Sequence, residues 1–143
     1  MRPVYESDSD LENEKDVAQK LEKVWDCKFN KMPIRYHLDF VLTKGDKVVA
    51  YCEVKSRNYT MEKIDAMGGY LMSIGKWSAA KNLSEASCVP FILIARTVDG
   101  IWYMSTQDFR PDDVLLRGRT DRQDWQDIEP CVLLKCSRFK KIE

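Results

Sequence analysis

The first hydrophobic pattern along the chain has the spacing of an α-helix. Between residues 7 and 26 the apolar side chains recur every three or four positions, at Leu11, Val17, Ala18, Leu21, Val24 and Trp25. This spacing places them on one face of a helix. The stretch Ser7–Ser9 supplies candidate caps, and the acidic residues of the first turns suit the helix dipole. Glu14 falls on the apolar face, so we expect its carboxylate to point toward the core.

Two β-rich runs follow this helix. Residues 37–43 (HLDFVLT) and 47–56 (KVVAYCEVKS) are separated by Lys44-Gly45-Asp46, and a short glycine-containing link between such runs predicts a hairpin. Both runs are largely apolar on both faces, which is typical of central strands covered on each side. The preceding segment, KFNKMPIR, is interpreted as a polar link because Pro33 argues against a helix there.

A second apolar pattern with helical spacing spans residues 60–86. Its apolar positions are Ile64, Met67, Leu71 and Ile74. Gly68, Gly69 and Gly75 interrupt it, and each interior glycine weakens a helix by about 1 kcal/mol relative to alanine. The pattern therefore predicts a long helix that is bent or broken. The glycines indicate either close packing against the sheet, which we favour, or close approach to a ligand.

The remaining chain is dominated by short strand patterns. Residues 91–96 (FILIAR) and 101–106 (IWYMST) flank an Asp99-Gly100 turn, and residues 131–136 (CVLLKC) are interpreted as the last strand. The charged stretch RPDDVLLRGRTDRQDWQDIEP before that strand is interpreted as a loop. The order of elements is helix, hairpin, helix, hairpin and extended tail. This order predicts one α/β domain over residues 1–143, with a mixed sheet.

Composition and charge narrow the class of protein. The chain has 143 residues, of which 44% are hydrophobic and 32% charged, as in an ordinary globular domain. Lys+Arg and Asp+Glu are equal at 23 each, so nucleic-acid binding would need a local basic patch. Five cysteines without a C-x-x-C pair, together with a single histidine, favour reduced thiols in the core over a zinc site. The acidic start lacks the apolar segment of a signal peptide, so we expect a cytoplasmic protein.

Three charged residues in the predicted hairpin require an explanation. Asp39 lies inside the first strand, and Glu53 and Lys55 lie two residues apart in the second, so the last two share a face. Burying a carboxylate is costly unless it is paired. Antiparallel pairing across the 44–46 turn places Asp39 opposite residues near position 51, close to Glu53. We therefore expect these three charges to converge at one end of the hairpin.

Two converging carboxylates and a lysine suit phosphodiester hydrolysis. Close carboxylates repel each other, and a divalent cation relieves that repulsion, with Mg²⁺ preferring such hard oxygen ligands. A lysine on the same face can orient the attacking water or neutralise charge that develops on a phosphoryl oxygen. The alternative interpretation is that Glu53 and Lys55 form an ordinary ion pair on an exposed sheet face.

These residues resemble the motif of the PD-(D/E)XK nuclease superfamily. The resemblance consists of Asp39, then Glu53-Val54-Lys55 on the next strand, after a helix that carries an acidic residue. As an order of elements it covers roughly residues 8–106, and it is similar to small phage endonucleases and junction resolvases. It implies a restriction-endonuclease-like core, with a mixed central sheet flanked by helices. It also implies a Mg²⁺-dependent deoxyribonuclease in which Mn²⁺ would substitute.

Two features of the sequence depart from the superfamily pattern. Leu38, rather than proline, precedes Asp39. The glutamine-and-tyrosine motif of the RecB-like branch is not evident, because no glutamine precedes Tyr70 at the usual spacing. The second departure argues against the RecB-like branch, whereas the position before the aspartate often varies in the superfamily.

The resemblance also implies a role for each site residue. Asp39 and Glu53 would bind the metal, with the backbone carbonyl of Val54 as a further ligand. Lys55 would be the catalytic lysine, and the acidic residue of the helix would be Glu14, since it lies on the apolar face.

The resemblance and local charge together suggest where DNA would contact the chain. Lys76 matches a position at which related nucleases hold a basic residue near the phosphate, and Arg57 follows the motif directly. Arg117 and Arg119 would hold phosphates, unless they belong to a charged surface loop. The tail SRFKK is either a basic edge or a frayed terminus.

Two further possibilities follow from the resemblance. Related enzymes that cut two strands often act as dimers, so a homodimer is one expectation. The alternative function is a catalytically inactive DNA-binding module of the same fold within a larger DNA-processing assembly.

Overall fold

A computed structural model describes residues 8–32, 38–105, 113–118 and 128–142, with side chains over 11–32, 38–105 and 130–142. The helices are α1 (Asp8–Trp25), α2 (Met61–Ala66) and α3 (Ile74–Ser87). The strands are β1 (Lys28–Lys31), β2 (Phe40–Lys44), β3 (Lys47–Ser56), β4 (Tyr70–Ser73), β5 (Phe91–Thr97), β6 (Gly100–Ser105), β7 (Asp113–Gly118), β8 (Ile128–Leu134) and β9 (Lys140–Lys141). Among the described residues, a 3₁₀ turn spans Cys136–Arg138.

The larger sheet has six strands in the order β1-β2-β3-β5-β6-β9. Strands β3 and β5 are parallel, and the other neighbours in this sheet are antiparallel, which confirms the predicted mixed sheet. A parallel pair needs a crossover connection, and here α2, β4 and α3 provide it. A second sheet of three strands, ordered β4-β8-β7, is an addition that the sequence did not predict.

The two faces of the six-stranded sheet bury different partners. Val17, Ala18 and Leu21 of α1 pack on one face, against a cluster that includes Cys52 and Ile94. The opposite face packs against the crossover segment and the second sheet, and the buried residues there include Leu93, Ala95, Met104, Tyr70 and Leu134. Alternation along β3 and β5 therefore determines which side chains meet α1 and which meet the crossover.

A bulge in the β2–β3 hairpin determines where Asp39 lies. The paired residues are Lys44 with Lys47, Thr43 with Val48, Leu42 with Ala50, Val41 with Tyr51 and Phe40 with Cys52. Val49 is therefore an extra residue in β3. One residue beyond the last pair, Phe40 with Cys52, Asp39 lies opposite Glu53, whereas the sequence predicted a partner near position 51. Without the bulge Asp39 would lie opposite Cys52. Because a one-residue shift moves a side chain to the other face, the bulge places Asp39 on the face of Glu53.

The predicted long helix over 60–86 is interrupted by a strand. Gly68 and Gly69 follow α2 with φ angles of 112° and 131°, which favour glycine, and the chain then enters β4. A Cβ on Gly69 would lie 2.8 Å from the carbonyl oxygen of Leu134 in β8, so the interpretation as close packing is confirmed at this position. A Cβ on Gly75 would meet nothing within 4 Å.

Three other segments differ from the sequence interpretation. The polar link contains β1, whose four residues pair with β2, and such a short polar strand has no clear local signal. The stretch interpreted as a charged loop contains β7 and the start of β8, while residues 106–112 and 119–127 lie outside the described residues. The tail is not frayed, because β9 pairs with β6.

The expectation about the cysteines is tested by the same coordinates. All five cysteines are free; Cys52, Cys131 and Cys136 are buried, but Cys88 is exposed at the end of α3 rather than in the core. Within the described residues, no helix combines the length and the apolar character needed to cross a membrane.

Candidate active site

Glu53 lies in the middle of the larger sheet, on the central strand β3. Its side chain is buried, with 1% of the residue exposed. The carboxylate oxygen Oε1 forms an ion-paired hydrogen bond with Lys76 Nζ and lies 3.6 Å from Lys55 Nζ. Lys76 is held in the first turn of α3, where the Ser73 hydroxyl caps the helix by accepting its backbone N–H at 3.1 Å. Two ammonium groups from different elements therefore converge on one buried carboxylate.

Asp39 lies just before β2 and contacts the same strand. Its Oδ2 accepts a hydrogen bond from the backbone N–H of Val54 at 2.8 Å. Burial raises the pKa of the Asp39 carboxyl, and the negative charge of Glu53 raises it further. The Val54 N–H and the ammonium groups of Lys55 and Lys31 oppose this rise without cancelling it. The Asp39 pKa is thus raised first by burial and then by the charge of the neighbouring Glu53 carboxylate.

Lys55 shares the face of these carboxylates and is partly exposed. Burial lowers the pKa of its ammonium group, but the charges of Glu53 and Asp39 outweigh that effect and raise the pKa above its ordinary value. Lys55 is therefore a stable cation at neutral pH that stands between the buried carboxylates and solvent.

Glu14 joins the site through a lysine that the sequence analysis missed. The expectation that Glu14 faces the core is confirmed, because 8% of the residue is exposed. Lys31 Nζ lies 2.7 Å from Glu14 Oε2 and 3.8 Å from Asp39 Oδ1. Lys31 was overlooked because its segment was interpreted as a link. On a strand, Lys31 shares the face of the buried Phe29 and so lies toward α1.

Arg57 lies beyond the end of β3, on the side of the crossover segment. Its guanidinium group stands 5.0 Å from the centre of the Tyr70 ring, and its backbone N–H donates to the Arg96 carbonyl at 2.8 Å. Tyr70 is buried, and no hydrogen-bond partner of its hydroxyl is found among the described residues. Burial raises the pKa of this hydroxyl, whereas Arg57 lowers it.

Two predicted DNA-contact residues are not tested by these coordinates. Arg117 lies in β7 opposite Glu129, but its side chain lies outside the described part of the chain. Arg119 lies outside the described residues altogether. Both remain predictions.

The site has the chemistry to attract a divalent cation. Asp39 and Glu53 supply hard oxygen donors, and a cation beside them would relieve the repulsion that raises the Asp39 pKa. Over the side chains described here, no three carboxylate, thiol or imidazole groups lie close enough to bind one ion together. Asp39 and Glu53 are the carboxylates that could hold such an ion, and Lys31 connects Glu14 to Asp39.

Comparison with known proteins identifies the family. The profile of the family described as "Phage putative PDDEXK endonuclease" matches residues 1–142. Among solved structures, the fold is similar to that of Hjc, a Holliday junction resolvase from the archaeal hyperthermophile Archaeoglobus fulgidus. The TM-score is 0.57 at 11% sequence identity, over 90% of this chain and 88% of that chain. No curated protein gives a significant match.

At 11% identity the structural likeness concerns the fold, and it agrees with the restriction-endonuclease-like core that the sequence predicts. The family match extends over nearly the whole chain. The chain therefore belongs to the phage PDDEXK endonuclease family, and the family and the fold together indicate a PD-(D/E)XK-type nuclease.

Proposed function

We propose that this protein hydrolyses DNA phosphodiester bonds at a site built on the β2–β3 hairpin, with Mg²⁺ as its metal and Mn²⁺ as a substitute. The observation that supports this is the convergence of Asp39, Glu53 and Lys55 on one face of the hairpin, next to a buried lysine–carboxylate contact. Membership of a nuclease family supports the reaction class.

Each residue has a role that follows from its position. Asp39 and Glu53 bind the cation, and the Val54 backbone holds Asp39 through its N–H while its carbonyl is the further ligand. A divalent cation would supply positive charge to the phosphoryl oxygen and make a water molecule easier to deprotonate. Glu14 acts through Lys31, because its carboxylate holds the Lys31 ammonium group beside Asp39.

The lysines act on the phosphate and on the attacking water. Lys55 is partly exposed and carries a raised pKa, so it offers N–H donors to the water or to a phosphoryl oxygen without losing its charge. Lys76 and Arg57 contact neighbouring phosphates. Attack of water on phosphorus forms one P–O bond and breaks another, leaving a phosphomonoester end and a hydroxyl end.

An alternative function is a catalytically inactive DNA-binding module of the same fold. One observation favours it: the Lys76 and Lys55 ammonium groups compensate the charge of the buried Glu53 carboxylate. The two functions differ in whether the carboxylate pair binds a divalent cation.

The test combines metal binding with cleavage. Wild type, Glu53→Gln and Lys55→Ala are incubated with linear, nicked, circular and branched DNA in Mg²⁺ and in Mn²⁺. Lys47→Ala, at the exposed start of the same strand, is the matched control. A calorimetric titration with Mn²⁺ measures metal binding independently of cleavage.

We expect wild type and Lys47→Ala to cleave at equal rates, and Glu53→Gln and Lys55→Ala to lose about a hundredfold or more in rate. Glu53→Gln should also weaken Mn²⁺ binding. Mn²⁺ binding without cleavage of any DNA, or cleavage that survives Glu53→Gln, would refute the proposed nuclease. DNA binding without Mn²⁺ binding would support the inactive module.

A further inference from the structure

Two ammonium groups converge on a single oxygen atom of the buried Glu53 carboxylate. Lys76 Nζ forms an ion-paired hydrogen bond with Glu53 Oε1, and Lys55 Nζ lies 3.6 Å from the same oxygen. The Glu53 side chain is 2% exposed, whereas the side chains of Lys76 and Lys55 are 34% and 37% exposed. Both lysines therefore reach from the solvent to one buried negative charge.

A divalent cation at Glu53 would be a third positive centre beside this carboxylate. Like charges a few ångströms apart repel each other strongly where burial limits solvent screening. The cation and both ammonium groups therefore compete for Glu53. Cation binding is favoured if one of the two lysines moves away.

Lys76 is the lysine that can leave Glu53 more easily. Lys55 lies two residues from Glu53 on the same strand, at a position paired with Ala95 of β5, so its side chain stays on the face of Glu53. Lys76 comes from a different element, α3, and carries its charge on a flexible four-carbon stem. If Lys76 leaves, Lys55 and the cation still compensate the Glu53 charge.

The surroundings of Lys76 have room for an anion. The preceding residue, Gly75, is exposed, and a Cβ there would meet nothing within 4 Å. Lys76 lies in the first turn of α3, which contains no acidic residue, and the Ser73 hydroxyl accepts its backbone N–H at 3.1 Å. The N-terminal end of a helix carries partial positive charge, which adds to that of the ammonium group. A phosphate beside Lys76 would therefore be stabilised.

We infer that Lys76 moves from Glu53 to a DNA phosphate when a divalent cation binds at the carboxylate pair, and that this exchange couples cation binding to DNA binding. Before the cation binds, Lys76 compensates the Glu53 charge; afterwards its ammonium group is available to the substrate. Coupling between two ligands is reciprocal, so DNA strengthens cation binding by the factor by which the cation strengthens DNA binding. The inference rests on the proposed function and extends it, because it links two contacts of the same site.

The experiment measures Mn²⁺ and DNA binding separately and together. Lys76→Gln removes the charge but keeps an N–H donor for Glu53, and Lys76→Arg retains the charge. Lys81→Gln is the matched control, because Lys81 lies in the same helix with its ammonium group 5.1 Å from the centre of the Trp77 ring. The DNA probes are a fluorescein-labelled duplex and a four-way junction with phosphorothioate linkages, which resist hydrolysis and keep the backbone charge.

Mn²⁺ affinity is measured by calorimetry without DNA and with saturating DNA. DNA affinity is measured by anisotropy over a range of KCl concentrations, in EDTA and in Mn²⁺. Thermal unfolding of each variant checks that it is folded.

The exchange predicts opposite effects of Lys76→Gln with and without DNA. Without DNA, Lys76→Gln should bind Mn²⁺ about tenfold more tightly than the wild type, because the competing ammonium group is gone. DNA should then strengthen Mn²⁺ binding by a smaller factor in Lys76→Gln than in the wild type. In Mn²⁺ the slope of log K against log[KCl] should be shallower by about 0.9 for Lys76→Gln, whereas in EDTA the two slopes should agree. Lys76→Arg should retain the coupling, and Lys81→Gln should behave as wild type.

Three results would overturn the inference and leave the proposed nuclease standing. They are equal coupling in the wild type and Lys76→Gln, a slope difference that is the same in EDTA and in Mn²⁺, and weaker Mn²⁺ binding by Lys76→Gln without DNA. The last result would identify Lys76 as a fixed support of Glu53. Loss of coupling in Lys76→Gln alone would support the inference even if the wild type cleaves nothing, in which case only the nuclease proposal fails. A wild type that binds no Mn²⁺ would overturn both.

Discussion

Replacing Lys31 by methionine should move protein stability and metal affinity in opposite directions. Lys31 Nζ lies 2.7 Å from the buried Glu14 carboxylate and 3.8 Å from Asp39, and its side chain is 37% exposed. Exposed ion pairs contribute about 0.2–1 kcal/mol, whereas breaking a buried pair costs about 3–5 kcal/mol. Because one partner is buried and the other partly exposed, we expect Lys31→Met to lower the free energy of unfolding by about 1–2 kcal/mol. This is a decrease in Tm of about 3–8 °C in a domain of this size.

The same substitution should strengthen divalent cation binding. Lys31 places a positive charge beside Asp39, which we propose as a metal ligand, so an incoming cation is repelled by it. At an effective dielectric constant of about 20, unit charges about 4 Å apart interact by about 4 kcal/mol, and solvent screening reduces this. An increase of about tenfold in Mn²⁺ affinity, or about 1.4 kcal/mol, is therefore expected.

Two measurements test this prediction. Thermal unfolding without metal gives the stability change, and calorimetric titration with Mn²⁺ gives the affinity. Lys28→Met is the matched control, because Lys28 lies exposed at the other end of the same strand. A purely structural role for Lys31 would lower both stability and metal affinity. That outcome, or an unchanged Tm, would refute the reasoning.

Three further predictions concern the site and its frame. Burial and the charge of Glu53 raise the Asp39 pKa above its ordinary 3.8. The folded protein therefore binds the proton of the Asp39 carboxyl more tightly than the unfolded chain does, and ionised Asp39 lowers the free energy of unfolding. Asp39→Asn should therefore raise Tm at pH 7 but not at pH 3; equal shifts at both would contradict this. Gly69→Ala should lower the free energy of unfolding, measured in urea, by about 2–4 kcal/mol, since its Cβ would meet a β8 carbonyl. Gly75→Ala should leave this free energy unchanged. Thr97→Val should lower the free energy of unfolding by about 1–3 kcal/mol, because it leaves the Trp102 N–H without its acceptor. An unchanged urea midpoint would contradict this expectation.

The sequence by itself determined the features that depend on local periodicity. The helical spacing from Leu11 to Trp25 identified α1 and the inward position of Glu14. The link at 44–46 identified the hairpin, and strand alternation put Glu53 and Lys55 on one face. These features could be predicted because the side-chain period of a helix or strand is fixed by backbone geometry alone.

Tertiary structure decided the features that depend on which segments meet. The extra residue Val49 changes the β2–β3 register by one residue and so brings Asp39 to the face of Glu53. The apolar run of β3 does not predict this shift, because it is apolar on both faces. The polar strand β1, which delivers Lys31, exists because β2 offers it a pairing edge. The pairing of β4 with β8, more than fifty residues apart, competes successfully with the helical pattern around Gly69.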